Sequence, residues 1–260
     1  MTIQEMKARK KELGYTNQQI AKLSGIPLST VQKVFTGETK SPRYDTLQAL
    51  YRVLSEESGD NVQKVAEILA AYGSGTGKHP GSYTLDDYYA IPDEYRVELI
   101  DGVIYDMAAP TLWHQRLIGE LHYQIQSFIR SQRESCKVYF SPIDVQLDQD
   151  NKTMVQPDLV ILCNPELNHG RCIFGAPEFV LEVVSPGSGK RDYIIKTHKY
   201  MEAGTREYWI VDPYKKLVLV YYFEDENAPM IYPMNQRIPV RMYDGKLEID
   251  FTDMEEFLPA

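Results

Sequence analysis

The sequence predicts an α+β protein in which an all-α domain precedes a larger α/β domain with a mixed central sheet. Residues 1–73 show only helical hydrophobic periodicity. Short runs of β-branched and aromatic residues, interrupted by two helical patterns, dominate residues 83–260. Residues 74–82 complete a stretch, GSGTGKHPGS from Gly73, that holds four glycines and no large apolar side chain, so we expect a flexible linker there.

Composition is typical of a globular protein, with 43% hydrophobic and 25% charged residues in 260. This length provides a core for each of two domains. No run approaches the roughly 18 apolar residues that span a bilayer, and the polar start does not resemble a secretory signal. We therefore expect a cytoplasmic protein without membrane association. The three cysteines form no close pair, so reduced thiols are the simplest interpretation.

Charge is distributed unevenly along the chain. The formal net charge is −9, yet residues 1–52 hold nine Lys or Arg against four acids, a local net charge of +5 that leaves −14 for the remainder. Nonspecific affinity for nucleic acid comes from Lys and Arg side chains. The pattern therefore indicates a basic module joined to an acidic body.

The basic module carries a helical pattern typical of two short helices joined by a turn. Residues 15–37 read YTNQQIAKLSGIPLSTVQKVFTG, in which Gly25 suits the turn between the helices. In the second helix Val31 and Val34 are expected to face inward. The outward side chains are polar and short enough to meet base edges in a major groove, and they are Ser29, Thr30, Gln32 and Lys33. An apolar stripe through 47–54 predicts a later helix, and residues 60–72 read as one more packing helix.

Residues 2–55 resemble the Cro and repressor (XRE-type) helix-turn-helix family, through T-x-x-x-I-A-x-x-S-G-I-x-x-S-T-V-x-K followed by P-x-x-x-T-L-x-x-L. The resemblance implies that Leu28 to Phe35 form the recognition helix and that Asn17 stands near a phosphate-contacting position. It also implies double-stranded DNA as partner and a homodimer on pseudo-palindromic sites. The alternative is a module that mediates only protein contact.

The acidic body shows a strand pattern with a clear first hairpin. Residues 97–107 are apolar on both sides of Asp101-Gly102, a dipeptide that favours a tight hairpin turn. Further strands are expected at 137–147, 159–163, 179–184, 207–211 and 217–223, and helices at 117–129 and 191–203.

Three acids lie where a carboxylate is costly unless it has a partner. Glu182 interrupts the apolar run FVLEVV, Asp158 begins the run that follows Pro157, and Glu98 lies between Val97 and Leu99. A buried, unpaired carboxylate costs several kcal/mol, on the order of a lost ion pair. Oxygen ligands from separate strands suit Mg²⁺, which takes few protein carboxylates and retains waters.

The order of local motifs in the body resembles the Uma-type restriction endonuclease family of the PD-(D/E)XK nuclease superfamily. These motifs are VELIDG at 97–102, His114, QPDLVIL at 156–162, FVLEVVSP at 179–186, then Asp192, Lys196 and Tyr200, and EYWIVDP at 207–213. The likeness covers about residues 82–223. It implies a restriction-endonuclease-like fold for this domain.

The resemblance also implies site residues. Asp158 and Glu182 would hold Mg²⁺, for which Mn²⁺ could substitute, with help from Glu98 and the main-chain oxygen of Val183. The lysine expected two residues after the second acid is replaced by Val184, and Lys196 on the following helix takes its place. Asp192 and Lys196 are also four residues apart, so an exposed helix ion pair is an equally good interpretation.

Accessory roles remain open for two further side chains. His114 is either a proton relay or substrate contact, or a histidine bonded to backbone at a helix start. Gln156 either contacts a metal-bound water or ends a strand. Tyr200 and Tyr208 are expected to serve packing rather than chemistry.

The sequence therefore predicts a DNA-binding protein with a magnesium-dependent endonuclease domain that hydrolyses phosphodiester bonds. One alternative is a transcriptional regulator whose nuclease-like domain is catalytically inactive and serves dimerisation or sensing. The acidic charge of the body and the residue at position 184 favour this alternative, because an acidic surface repels DNA. A third possibility is a metal hydrolase acting on another substrate.

Overall fold

The computed structural model describes residues 3–12, 16–39, 42–54, 78, 80–185, 187–189, 191–225 and 229–254. The chain divides into two compact units, Met1–Ala71 and Tyr72–Ala260. The helix expected at 60–72 lies outside the described residues. Among the helices that are described, none has the length and apolar character needed to cross a membrane.

Four helices are described in the first unit. They are α1 (Ile3–Glu12), α2 (Asn17–Ser24), α3 (Leu28–Thr36) and α4 (Tyr44–Leu54). Their buried core includes Ile20, Val31, Val34 and Leu50, all fully excluded from solvent. The turn between α2 and α3 contains Gly25 at φ +69°, a left-handed conformation that favours glycine. The predicted all-α helix-turn-helix unit is confirmed.

The second unit has the predicted helices and strands in order, with additional short elements, but the single strand expected at 137–147 is wrong, because it is divided into two short strands that belong to different sheets. Its helices are α5 (Leu85–Ala90), α6 (Leu112–Gln132) and α7 (Thr197–Ala203), the last continuing a π-helical turn at Arg191–Lys196. Its strands are β1 (Val97–Ile100), β2 (Val103–Asp106), β3 (Lys137–Phe140), β4 (Val145–Gln146), β5 (Leu159–Leu162), β6 (Ile173–Phe174), β7 (Phe179–Val183), β8 (Glu207–Asp212), β9 (Leu217–Tyr222), β10 (Met230–Pro233), β11 (Arg237–Val240) and β12 (Leu247–Asp250).

The central sheet is mixed and has six strands in the order β10-β9-β8-β7-β5-β3. Only β7 and β8 pair in parallel in this sheet, and the other neighbours are antiparallel. The segment from Arg191 to Ala203 forms the crossover between the two parallel strands, as parallel pairing requires. The predicted fold class, α+β with a mixed central sheet, is confirmed.

Strand β7 is buried on both faces, because helices and loops cover both sides of the sheet. Phe179, Leu181 and Val183 belong to the main hydrophobic core, in which they join the apolar face of α6. Strand side chains alternate between faces, so Val180 and Glu182 face the opposite side. Glu182 is therefore directed away from the α6 core.

The β1-β2 hairpin has the predicted turn, with Asp101 at φ +49° and Gly102 at φ +73°. The Gly102 carbonyl accepts hydrogen bonds from the main-chain N–H groups of Gly81 (2.7 Å) and Tyr83 (3.1 Å). A Cβ at Gly102 would lie 2.6 Å from the Gly81 oxygen, so only glycine permits this approach. The last part of the expected linker thus packs against the hairpin that carries Glu98.

Strands β10, β11 and β12 were not predicted. Pro233 ends β10 and Pro239 lies within β11, and proline weakens a strand signal because it cannot donate a ladder hydrogen bond.

The expectation of reduced thiols is wrong for two of the three cysteines. Cys136 and Cys163 form a disulfide, whereas Cys172 is free. Lys137 pairs with Leu162 in the antiparallel register, so Cys136, which precedes Lys137, lies opposite Cys163, which follows Leu162. This register depends on tertiary structure, and the sequence separation of 27 residues gives no local motif.

Candidate active site

Pairing of β5 with β7 brings Asp158 and Glu182 to the same end of the sheet. Leu159 pairs with Leu181, so continuing the antiparallel register by one residue sets Asp158 opposite Glu182. Residues directly opposite each other in such a pair have Cβ atoms about 4.5–5.5 Å apart and share a face. The main-chain N–H of Val183 also donates to Asp158 Oδ2 over 2.8 Å. Two acids separated by 24 positions therefore meet at one point.

Glu182 is buried and has two side-chain donors. Its Oε1 accepts from the Lys196 ammonium at 2.8 Å and from the Tyr200 hydroxyl at 2.9 Å. Burial raises the pKa of Glu182 well above its ordinary value, although the Lys196 charge acts in the opposite direction. The nearby charges of Asp192 and Asp158 raise it further.

Glu98, on β1, has no solvent exposure and contacts the same lysine. Its Oε1 lies 2.7 Å from Lys196 Nζ and accepts from the main-chain N–H of Gln156 at 2.9 Å. Its Oε2 lies 3.5 Å from Arg191 Nε. The hairpin and the crossover are thereby joined through charged groups.

Lys196 is the common partner of these carboxylates, and only 2% of its surface is exposed. Its Nζ also lies 3.7 Å from Asp192 Oδ1. An exposed helix ion pair between Asp192 and Lys196 was one of two interpretations of their spacing, and it is wrong, because both side chains are buried. Burial alone would lower the pKa of Lys196, but the charges of Glu182 and Glu98 outweigh it and hold this pKa above its ordinary value.

His114 lies at the start of α6 and faces Asp158. Thr111 caps the helix by accepting from the His114 main-chain N–H at 3.3 Å. The imidazole Nε2 lies 3.3 Å from Asp158 Oδ2, and the Val183 backbone is a further partner of the ring. Burial lowers the pKa of His114, but the hydrogen bond and charge of Asp158 outweigh burial and leave the pKa raised. The ring thus contacts both backbone and a candidate metal ligand.

Gln156 contacts the candidate site through its main chain and a neighbouring polar group of residues through its side chain. Its main chain contacts Glu98, whereas its side-chain amide donates to the Tyr88 hydroxyl at 3.0 Å and to Asp144 Oδ1 at 3.2 Å. The side chain therefore belongs to a polar network beside the candidate active site.

Three contacts at the site were not predicted from the sequence. Tyr200 donates to Glu182, Tyr208 donates to the Asp192 carbonyl at 3.0 Å, and Arg191 approaches Glu98. The spacing of Lys196 and Tyr200, four residues apart, signals a shared helix face and could have indicated the first of them. Arg191 and Tyr208 approach only through the tertiary fold.

The charge balance of the site suits a divalent cation. Four buried carboxyl groups (Glu98, Asp158, Glu182 and Asp192) face two permanent cations (Arg191 and Lys196) and a histidine. Burial raises the pKa of Asp192 to about 6, against the lowering effect of the Lys196 and Arg191 charges. Within the described part of the chain, no group of three His, Cys, Asp or Glu side chains is already arranged around a metal position. Mg²⁺ needs only one or two carboxylates, because waters complete its shell.

The first unit presents its candidate DNA-binding residues on two helices. Ser29, Gln32 and Lys33 are exposed on α3, and Thr30 is half-buried. Asn17, at the start of α2, accepts a hydrogen bond from the Lys10 ammonium through Oδ1. The polar face of α3 is therefore accessible to a ligand.

These features define a two-part protein with a helix-turn-helix DNA-binding domain and a restriction-endonuclease-like domain. Residues 85–242 match the sequence model of the Uma2 family, described as "Putative restriction endonuclease", and residues 6–57 match the family described as "Helix-turn-helix". The first match spans more than half of the chain, which therefore belongs to the Uma2 family. Both predicted resemblances are confirmed.

Solved structures share this fold, and one of them is described as a putative nuclease belonging to DUF820 from Anabaena variabilis ATCC 29413. It matches this chain with a TM-score of 0.57 and 20% sequence identity. The alignment covers 68% of this chain and 99% of that one. Comparison with curated proteins gave no match.

Replacing Lys196 by methionine, which has a similar length and no charge, tests its role as counter-ion. Because Glu98 and Glu182 would remain buried without their shared cation, Lys196→Met is expected to lower the free energy of unfolding by about 3–5 kcal/mol. Lys246→Met is the matched control, since Lys246 is 73% exposed and its ion-pair partner Asp244 is 87% exposed. This control should cost at most about 1 kcal/mol.

Urea denaturation at pH 7 measures both variants. Added Mg²⁺ should raise the stability of Lys196→Met more than that of the unsubstituted chain, because the metal supplies the missing positive charge. Equal stability losses in the two lysine variants would contradict the counter-ion role.

Proposed function

We propose that this chain is a metal-dependent DNA endonuclease that hydrolyses phosphodiester bonds. The observation that carries the proposal is the opposition of Asp158 and Glu182 across β5 and β7, with Lys196 bonded to Glu182 and Glu98. Membership of the Uma2 family supports the same reaction class. Glu98, Asp158, Glu182 and Lys196 are the proposed catalytic group.

Asp158, Glu182 and the main-chain oxygen of Val183 are the proposed ligands of Mg²⁺, with Glu98 as a further candidate and Mn²⁺ as a substitute metal. The bound ion would polarise the phosphodiester and lower the pKa of an attacking water. The chain keeps these oxygens oriented: the Val183 N–H and His114 hold Asp158, while Lys196 and Tyr200 hold Glu182. In the described residues, Lys196 is the only lysine within 4 Å of Glu98 and Glu182. It is therefore the proposed donor to the reacting phosphate or water.

The first unit is proposed to bring the acidic body to double-stranded DNA in the cytoplasm. Residues 72–260 hold 18 Lys or Arg against 29 acids, a net charge of −11 that repels phosphates away from the site, so attachment must come mainly from the basic residues 1–52. Ser29, Thr30, Gln32 and Lys33 are the proposed base and phosphate contacts of α3, and Asn17 a phosphate contact of α2. Units of this type act on pseudo-palindromic sites as pairs, so a homodimer is part of the proposal.

A transcriptional regulator is the second candidate, and one observation favours it. Lys196 already bonds both Glu98 and Glu182, so the buried acids are partnered without metal. A domain built in this way could serve dimerisation or sensing while the first unit binds an operator.

Cleavage of supercoiled plasmid separates the two candidates. With Mg²⁺, the chain is expected to nick plasmid, whereas Asp158→Asn and Glu182→Gln should reduce the rate at least about 100-fold, because each removes a metal ligand. Glu248→Gln, at an exposed position of β12, is the control and should retain full activity.

The same preparation must be inactive in EDTA. If nicking is unchanged in both site variants, or undetectable with both Mg²⁺ and Mn²⁺, the endonuclease proposal is overturned. Footprinting of a protected DNA site without cleavage would then support the regulator.

Binding by α3 has its own test, using a DNA site selected by the chain from random duplexes. Gln32→Ala should lose about tenfold or more in affinity for that site and little for unrelated DNA, because a base contact is removed. Lys33→Ala should weaken binding to all duplexes and reduce the salt slope by about 1. Lys137 is an exposed lysine on β3, and Lys137→Ala should change neither the DNA affinity nor the salt slope. Equal effects of the three substitutions would refute the proposal that α3 contacts DNA.

A further inference from the structure

A cavity of about 660 Å³ lies beside the candidate active site, within the second unit. Two of its wall residues contact the site directly. The Gln156 main-chain N–H donates to Glu98, and the Ser141 N–H donates to the Asp158 carbonyl at 2.9 Å. The volume falls within the range of about 300–1,000 Å³ that is usual for small-molecule pockets. A group bound here would therefore be a close neighbour of the proposed metal ligands.

One wall of the cavity holds a carboxylate in a fixed orientation. Asp144 Oδ1 accepts from the Tyr88 hydroxyl at 2.8 Å and from the Gln156 amide at 3.2 Å. Its other oxygen, Oδ2, has no hydrogen-bond partner among the described residues. Burial raises the pKa of Asp144, and both bonded donors act against that rise. Asp144 Oδ2 thus offers the cavity an oriented hydrogen-bond acceptor whose lone pairs are unused by the residues that the structure describes.

Two arginines line the same cavity, and neither lies within ion-pair distance of an acid in the described part of the chain. Arg96 donates from Nη2 to the Gln156 amide oxygen at 3.3 Å, and its buried Nε lacks a hydrogen-bond partner within the same residues. The guanidinium carbon of Arg171 lies 3.6 Å from the centre of the Tyr89 ring. Stacking on an aromatic ring orients a guanidinium and leaves its N–H groups available to an anion.

Resting on the proposed nuclease function, we propose that this cavity binds one nucleotide of the DNA adjacent to the bond that is cut. Arg96 and Arg171 contact its phosphate. Asp144 Oδ2 accepts a hydrogen bond from the exocyclic amino group of its base, as aspartate does with cytosine. The cavity is thereby a specificity-determining subsite in which bases carrying an amino group are preferred over thymine.

The chemistry of the walls favours a nucleotide over a simple anion. An anion site requires only the arginines, whereas the half-buried carboxylate of Asp144 beside them would repel an anion. An amino-bearing base turns that carboxylate into a partner, because the base donates to it while the phosphate stays with the arginines. Tyr88 and Tyr89 supply the apolar surface that a base ring needs.

Binding of single nucleotides to the full chain in EDTA tests the subsite without any requirement for cleavage. The probes are dAMP, dCMP, dGMP, dTMP and inorganic phosphate, measured by isothermal titration calorimetry. At least one amino-bearing nucleotide should bind about tenfold or more tightly than dTMP and phosphate. Failure of the nuclease proposal would leave this result unchanged, because no metal is present.

Asp144→Asn is the decisive variant, since it keeps the shape and replaces the free acceptor by an N–H donor. It should weaken binding of the preferred nucleotide about tenfold or more and leave binding of phosphate unchanged or stronger. Asp93→Asn, an exposed acid that lines the same cavity, is the matched control and should have little effect. Arg171→Ala removes an exposed side chain without disturbing the fold, and it should weaken binding of all four nucleotides. If Asp144→Asn does not fold, Arg171→Ala alone tests whether nucleotides bind in this cavity.

Three results would overturn the subsite: no nucleotide binds, phosphate binds as tightly as the best nucleotide, or nucleotide binding is insensitive to both Asp144→Asn and Arg171→Ala. The last result would place any bound nucleotide elsewhere on the chain. Plasmid cleavage by a chain that gave one of these results would retain the nuclease proposal and remove only the subsite.

Discussion

A single buried ammonium group organises the second unit. Lys196 Nζ lies within 2.8 Å of one oxygen of Glu98 and one of Glu182, and all three side chains are almost inaccessible to water. Each charge alone would be costly in such a place, so their positions depend on one another. The lysine thus connects the β1-β2 hairpin, the centre of the sheet and the crossover between β7 and β8.

This arrangement explains why the crossover begins with a π-helical turn. Arg191, Asp192, Ile195 and Lys196 are all buried within the six residues of that turn. The wider turn brings Arg191, Asp192 and Lys196 towards the acids of β1 and β7, and π-helical turns occur frequently at functional sites. Four carboxyl groups outnumber two permanent cations at this point, which supports the proposed binding of a small, hard cation. The same excess of negative charge makes the site unfavourable for DNA in the absence of that cation.

Much of the fold and the core of the candidate site could be predicted from local sequence. Glu98 and Glu182 stand out because a carboxylate inside an apolar strand is costly, and Asp158 because it opens such a strand. Gly25 and the Asp101-Gly102 turn were predictable because their backbone conformations demand particular residues.

Other features depend on strand register and could not be read locally. The Cys136–Cys163 disulfide arises from the pairing of β3 with β5, and the direction of the Gln156 side chain from contacts with Tyr88 and Asp144. The choice of Lys196 was implied by the resemblance to the Uma-type family. The simultaneous contact of this lysine with Glu98 and Glu182 required the tertiary structure.

The most direct measurement of the central claim is anomalous X-ray diffraction from crystals of the chain soaked in Mn²⁺. The account predicts an anomalous peak between the carboxylates of Asp158 and Glu182, with ligand distances close to the roughly 2.1 Å of a hard divalent ion. A fully soaked crystal with no peak there, in which Lys196 still bridges Glu98 and Glu182, would contradict it.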